Sequence, residues 1–307
     1  MKSTALKRLF EIQRKFNPEL KNVKSYDKKQ KITKQFILAV MAEAHEVLNE
    51  INWCDWKPKR EIITSNICEE VVDTFKFLIN VLLIWDIDED KFLEEFERKS
   101  LVVEQRKKQR EALELVKKKK SKICALDIDG VIVDFPTCYI NFINKELGTK
   151  FNTMFDVNKK LSKKQLMDIK DKYRKSGAKQ SVGVLPEAKK LITSLKQMGY
   201  SIVLLTKRPY KKYLRIFADT KINLDNNGIK YDAILFDSEK HKRIVKEFPK
   251  LHFIVEDNKN ISNEVGAWGV KSFLIDNIYN QGSLNDNVTR VKALSDIPKI
   301  LKANGKS

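Results

Sequence analysis

The run ICALDIDGVIVDF, Ile123 to Phe135, constrains this chain more than any other stretch. An apolar segment of strand length delivers two carboxylates, Asp127 and Asp129, into a turn at Gly130. Side chains at i and i+2 share one face of a strand. The two acids would therefore stand together, where like charges repel and a divalent cation relieves the repulsion. The same letters also describe a plain acidic strand end before a turn, so the D-x-D string depends on its context.

The C-terminal half supplies that context. Short apolar runs, SIVLLT, AILF near 233, FIV near 253 and SFLI near 272, alternate with helical patterns: segments up to Gly177, one over 186–198 and one from Tyr210. Such alternation predicts a parallel sheet covered on both faces, with ligands bound at the carboxyl ends of the strands. The polar residues fall at those ends: Asp127 and Asp129 after the first strand, Thr206 after SIVLL, Lys240 after AILF, Glu256 and Asp257 after FIV. The lysine-rich insert 159–179 reads either as a small helical cap over this edge or as a solvated surface.

This set resembles the haloacid dehalogenase superfamily of phosphatases, in particular the deoxyribonucleotide 5'-nucleotidases, whose four motifs stand here in order. The LIDNIYN run ending at Asn280 is similar to that branch's closing segment. The resemblance implies a Rossmann-like α/β domain that works through an aspartyl-phosphate. Asp127 would be the nucleophile and Asp129 the acid and base, while Thr206 and Lys240 would hold phosphoryl oxygens. Lys242, two positions on, is the alternative lysine. Asp127, Asp129 through its carbonyl, and Asp257 would hold one Mg²⁺. Glu256 is open between ligation and a place behind the ligands or in solvent.

The N-terminal third has a different period. Over residues 28–52 apolar side chains recur at helical spacing from Ile32 to Ile51, with Glu43 and Glu46 on one face and Glu43 in the row of Phe36, Val40 and Val47 that ought to be buried. A second helix over about 66–85 repeats the arrangement with Glu70 and Asp73, the latter among Val71, Val72, Phe77 and Leu78. One E-x-x-E string is an ordinary solvated face. Two acidic pairs on successive apolar helices are suited to Mg²⁺, because hard cations take carboxylate oxygen and buried carboxylates need a counter-charge.

With LFEIQRKFN, EVLNEINWCDWK and EEVVDTFKFL around these acids, residues 5 to 110 resemble the all-α nucleoside triphosphate pyrophosphatases, specifically the dimeric dUTPase branch. The resemblance implies an all-α bundle, a homodimer and Mg²⁺-dependent cleavage of dUTP to dUMP and pyrophosphate. Glu43, Glu46, Glu70 and Asp73 would be metal ligands, Gln13 and Asn17 would approach the base, and Lys57, beside Trp56, and Arg106 would contact the substrate. Lys76 and Val103 depart from the family, which has a histidine and an asparagine there.

Two domains are expected in 307 residues, 1–118 all-α and 119–307 α/β, joined by the charged stretch RKKQREALELVKKKKSK as a tether or helix extension. The formal charge of +19 divides unevenly. Residues 1–120 carry 26 basic against 21 acidic side chains and the remainder 34 against 20, that is +5 and +14. Phosphorylated ligands suit the second half, as does a merely solvated lysine face. No zinc-finger spacing, repeat or nucleic-acid-binding motif occurs. The four cysteines form no C-x-x-C pair, and the greasy stretch 71–87 is broken by Asp73, Lys76 and Asn80, so neither a disulfide framework nor a membrane span is expected. His45, His241 and His252 lack ligand spacing.

These readings converge on a bifunctional nucleotide phosphohydrolase of the cytoplasm, cutting a deoxynucleoside triphosphate to the monophosphate and then removing the 5'-phosphate. Such a pairing would suit a virus that edits its host's nucleotides. The alternative is a phosphatase of nucleic-acid ends with a non-catalytic helical dimerisation domain.

Overall fold

The computed structural model describes residues 4–304. The chain divides between Ser100 and Leu101 into two compact units.

The first unit is helical: α1 (Thr4–Phe16), a short 3₁₀ turn, α2 (Tyr26–Asn49), α3 (Thr64–Ile84) and the opening turns of α4 (Glu89–Lys118). Ser25 caps α2, its side chain accepting from the Lys28 N–H at 3.5 Å. Its hydrophobic cluster is small, Leu20, Val23 and Ile84 with half-buried Ile32, Phe36, Leu83 and Trp85 around them, and Phe10, Cys54 and Ile79 are buried besides. No residue of α2 is buried. The row of Phe36, Val40 and Val47 is only half-buried, and so are Glu43 and Asp73, which corrects the expectation of acids inside a closed core. The physical reason is that α2 packs chiefly against α3, so Leu38 and Met41 on one helix and Val71 and Val72 on the other stay exposed within this chain.

The second unit opens with the last turns of α4, a departure from the expected boundary at 118. Of the two readings of the charged stretch, a tether or a helix extension, the structure has the helix, with an inner face. Val102, Gln105, Gln109, Leu113 and Val116 are buried along one helical stripe, and Gln109 Oε1 accepts the Phe236 N–H at 3.0 Å. A stripe with two glutamines in it carries little hydropathy signal, which hides it among the lysines.

Thereafter follow β1 (Lys122–Asp127), α5 (Thr137–Leu147), α6 (Met154–Lys160), α7 (Lys163–Lys175), α8 (Pro186–Gln197), β2 (Tyr200–Thr206), α9 (Arg215–Asn226), β3 (Ala233–Phe236), α10 (Lys240–Glu247), β4 (Leu251–Glu256), α11 (Lys259–Ala267), β5 (Lys271–Ile275), β6 (Val288–Val291) and α12 (Asp296–Asn304). The strands form one sheet in the order β3-β2-β1-β4-β5-β6, parallel throughout. Two apolar clusters cover its faces, one around Leu126, Leu204 and Phe253, the other around Ala125, Leu205 and Ile254. Successive residues thus serve opposite layers, as pleating demands. The helix expected from Tyr210 begins at Arg215, and β6 and α12 were not legible; VTRV is short and half polar.

The insert carrying 159–179 is a cap of three helices, α5 to α7, with its own small core of Tyr139, Ile140, Ile143, Val157, Ile169 and Tyr173. Reciprocal capping boxes, Thr153 with Asp156 and Ser162 with Gln165, start α6 and α7. All four cysteines are free, and among the described residues no helix is long and apolar enough to cross a membrane.

Candidate functional site

β1 and β4 are adjacent, and their carboxyl ends place Asp127 beside Glu256 and Asp257, with one oxygen of each within 4.8 Å of the others. Burial and the neighbouring Glu256 push Asp127 up to about 7, and burial with Asp127 pushes Asp257 up to about 6. Lys240, 2 % exposed at the start of α10, opposes this: its ammonium pairs with Asp127 Oδ1 and lies 2.6 Å from Glu256 Oε1. The Glu256 contact is one of charge and lacks hydrogen-bond geometry. Lys242 is exposed and paired with Glu239, so Lys240 is the lysine at the site. Glu256, left open by its sequence context, is fully buried.

Gly130 lies against this cluster. Its φ of +89° is in the left-handed region, and a Cβ there would come within 2.3 Å of Asp257 Oδ2. Asp257 is steadied further by Tyr279, whose hydroxyl donates to Oδ2 at 2.6 Å, and by Asn280, whose Nδ2 donates to the Asp257 carbonyl at 2.8 Å.

Asp129 is turned to another partner. Arg208 donates to both of its oxygens, Nε at 2.9 Å and Nη2 at 2.6 Å, while Nη1 donates to Thr220 Oγ1 at 2.9 Å. Burial would raise the Asp129 carboxyl, but Arg208 and Lys179 outweigh it and hold the group well below the usual carboxylate range. Its side chain is therefore apart from the three clustered carboxylates. Thr206 ends β2, buried, and its Oγ1 accepts the Arg208 N–H at 3.1 Å. A cavity of about 310 Å³ opens on Asp127, Asp129 and Lys240 and is walled by the cap residues Tyr139, Lys170, Tyr173 and Lys179. Arg208, Lys179 and Tyr279 were missed from sequence. Arg208 follows Thr206 by two positions, which was a usable signal; Lys179 and Tyr279 lie in short 3₁₀ turns inside the insert 159–179 and the LIDNIYN run, stretches noticed as wholes without either residue being picked out.

In the first unit, one oxygen each of Glu43, Glu70 and Asp73 lie within 4.8 Å of one another. Glu46 stands beside them, exposed, its Oε2 accepting from Asn49 at 3.1 Å. Partial burial, then Glu43 and Glu46, raise the Glu70 carboxyl above its ordinary value. The nearest relief is Lys76, 2.8 Å from Asp73. Both clusters consist of hard oxygen donors with surplus negative charge, a set that fits Mg²⁺. Gln13 is buried, and Asn17 Nδ2 donates to Gln13 Oε1 and to Asn80 Oδ1, each at 3.3 Å. Asn80, buried mid-helix in α3, was read only as a break in hydropathy, although a buried amide on an apolar helix calls for a polar partner. Lys57 is exposed in a turn beside Trp56, and Arg106 is exposed on the part of α4 that belongs to the second unit.

No curated protein matches. Solved structures similar to this chain include the D,D-heptose 1,7-bisphosphate phosphatase of Burkholderia thailandensis (14 % identity, 59 % of this chain and 99 % of that one, TM-score 0.40). Others are a haloacid dehalogenase-like hydrolase of Streptococcus pneumoniae (16 %, 60 % and 98 %, 0.41) and a predicted phosphatase of Clostridium acetobutylicum (16 %, 60 % and 100 %, 0.44). The family model described as dUTPase matches residues 5–182, which takes in the acidic helices, all of α4, β1 and the cap. With more than half of its length so matched, the chain belongs to the dUTPase family.

Proposed function

We propose that the protein is a bifunctional nucleotide phosphohydrolase, converting dUTP to the monophosphate and pyrophosphate at the helical site and removing phosphate from a deoxynucleoside 5'-monophosphate at the sheet edge. The observation that carries this reading is the pair of separate carboxylate clusters, one in each compact unit, each drawn within 4.8 Å.

At the helical site Glu43, Glu46, Glu70 and Asp73 would hold Mg²⁺, and Gln13, Asn17 and Asn80 present amide donors and acceptors to the base. Lys57 meets the phosphates if its turn folds inward on binding. At the sheet edge Asp127 and Asp257, with the Asp129 carbonyl, would hold Mg²⁺. Bound at either site, the metal offsets phosphate charge. Asp127 attacks phosphorus, Thr206 and Lys240 steady the phosphoryl oxygens, and Asp129 gives a proton to the leaving oxygen and then takes one from the water that hydrolyses the aspartyl-phosphate, releasing phosphate and restoring Asp127. An arriving phosphate dianion competes with Asp129 for Arg208, and releasing that clamp lets Asp129 take up the proton it must donate.

The test is a panel of deoxynucleoside tri- and monophosphates with Mg²⁺, scored separately for pyrophosphate and orthophosphate. The expected result is pyrophosphate from a triphosphate and orthophosphate from a monophosphate; orthophosphate alone would remove the helical half of the proposal.

We also assign a homodimer formed through the first unit. Its exposed Leu38, Met41, Val71 and Val72 and its small hydrophobic cluster favour a second copy over solvent. Light scattering at micromolar concentration should give twice the 35.8 kDa chain mass. A monomer with full triphosphate cleavage would contradict it.

A further inference from the structure

The cavity over Asp127 holds more positive charge than one phosphate can use. Six cations line it, Lys170, Arg174, Lys179, Lys207, Arg208 and Lys240, against four carboxylates. Two of the six are committed: Lys240 to Asp127 and Glu256, Arg208 to both oxygens of Asp129. Lys179 reaches Asp129 only at 3.9 Å, over oxygens that Arg208 already occupies. Among the described residues, no carboxylate lies within ion-pair distance of Lys170, Arg174 or Lys207. Lys170 and Arg174 stand one turn apart on α7, hence on one face, a like-charge arrangement that costs a helix stability unless an anion joins them. Burial followed by Arg174 pushes Lys170 down, and burial pushes Lys179 down to about 8.

The charge balance decides the ligand. The side chains leave an excess of two positive charges, and a bound Mg²⁺ raises it to four. A phosphoryl dianion would offset two of these, and Lys170 and Arg174, the cations on α7 that line the cavity without a carboxylate partner, stand on the cap wall for a second anionic group. Phe135 and Tyr139 stack at the same cavity, with centroids 6.4 Å apart and planes at 14°; Tyr139 is buried, and half-buried Phe135 is the ring left to face a base. About 310 Å³ is at the small end of ligand sites and suits one nucleotide.

We propose that this site selects a nucleotide with a second phosphoryl group besides the one removed, a deoxynucleoside 3',5'-bisphosphate, with Lys170 and Arg174 holding the group that stays. The inference rests on the reading of Asp127 as the phosphoryl acceptor.

The experiment uses the full chain with Mg²⁺ and compares kcat/KM for a deoxynucleoside 3',5'-bisphosphate, the matching 5'-monophosphate and a 5'-phosphorylated oligonucleotide. The bisphosphate should lead the monophosphate by roughly 10- to 100-fold, as expected of one or two added charge-assisted contacts. In Lys170→Gln/Arg174→Gln that ratio should collapse towards one, with the loss in KM. A ratio of one in the wild type, a ratio unmoved in the double variant, or an oligonucleotide that outcompetes the bisphosphate would each overturn the inference. Calorimetric titration of Asp127→Asn with the same ligands reads the preference without turnover. If no nucleotide is dephosphorylated the phosphatase reading fails, and tighter binding of the bisphosphate or equal binding still decides the second-phosphate inference separately.

Discussion

Asp127→Asn is expected to leave no covalent phosphoenzyme and to lower orthophosphate release by about 10⁴-fold or more, because an amide cannot take up the phosphoryl group. Asp129→Asn should behave differently. It should slow ordinary nucleotides by roughly 10²- to 10⁴-fold, the worth of a general acid, yet still form the phosphoenzyme from an aryl phosphate, whose leaving group needs no proton. Asparagine also leaves Arg208, 5 % exposed, without its counter-charge, so circular dichroism of the variant belongs with the kinetics. Labelled phosphate trapped on Asp127→Asn, or equal losses on both substrate types for Asp129→Asn, would show the roles to be wrongly assigned.

Lys240→Met should have the largest effect on stability. The ammonium is the cation in contact with both Asp127 and Glu256, and removing one partner of a buried ion pair costs about 3–5 kcal/mol. The loss should be greatest in chelator at neutral pH. Burial first, and then neighbouring carboxylates, raise Asp127 to about 7 and Asp257 to about 6, above their unfolded values near 4. Acids raised in this way favour the folded state fully below the unfolded pKa, and that stability is lost as pH rises through the folded values. Asp129, shifted the opposite way, contributes stability above its unfolded value and loses it only at lower pH. Between pH 4 and 7 the raised acids therefore set the slope at this site. Metal-free protein should melt higher at pH 5 than at pH 7.5, Lys240→Met should widen the gap, and Mg²⁺ should narrow it. A metal-free melting point indifferent to pH in both proteins would contradict the electrostatic account of the site.

The sheet was legible because its central strands are unbroken apolar runs, and every acid, threonine and lysine singled out at their ends lies at the carboxyl edge. Partnerships across the chain were not. Arg208 reaches Asp129 only because β2 neighbours β1, and Tyr279 reaches Asp257 through a loop after β5. In the helices, spacing paired Glu43 with Glu46 and Glu70 with Asp73, and the structure groups Glu43, Glu70 and Asp73 with Glu46 outside the three. Spacing overstated their burial, because periodicity marks an apolar face without saying whether the same chain covers it. The inner stripe of α4 escaped notice since glutamine fills two of its buried positions.

The central claim is that two independent sites act in one chain, and paired substitutions followed by separate product assays test it most directly. Glu70→Gln should abolish pyrophosphate release from dUTP while monophosphate dephosphorylation stays within about twofold of wild type, as expected of sites with no shared partners. Asp127→Asn should do the reverse. If either substitution, in protein that remains folded, silences both reactions, the two-site account is wrong.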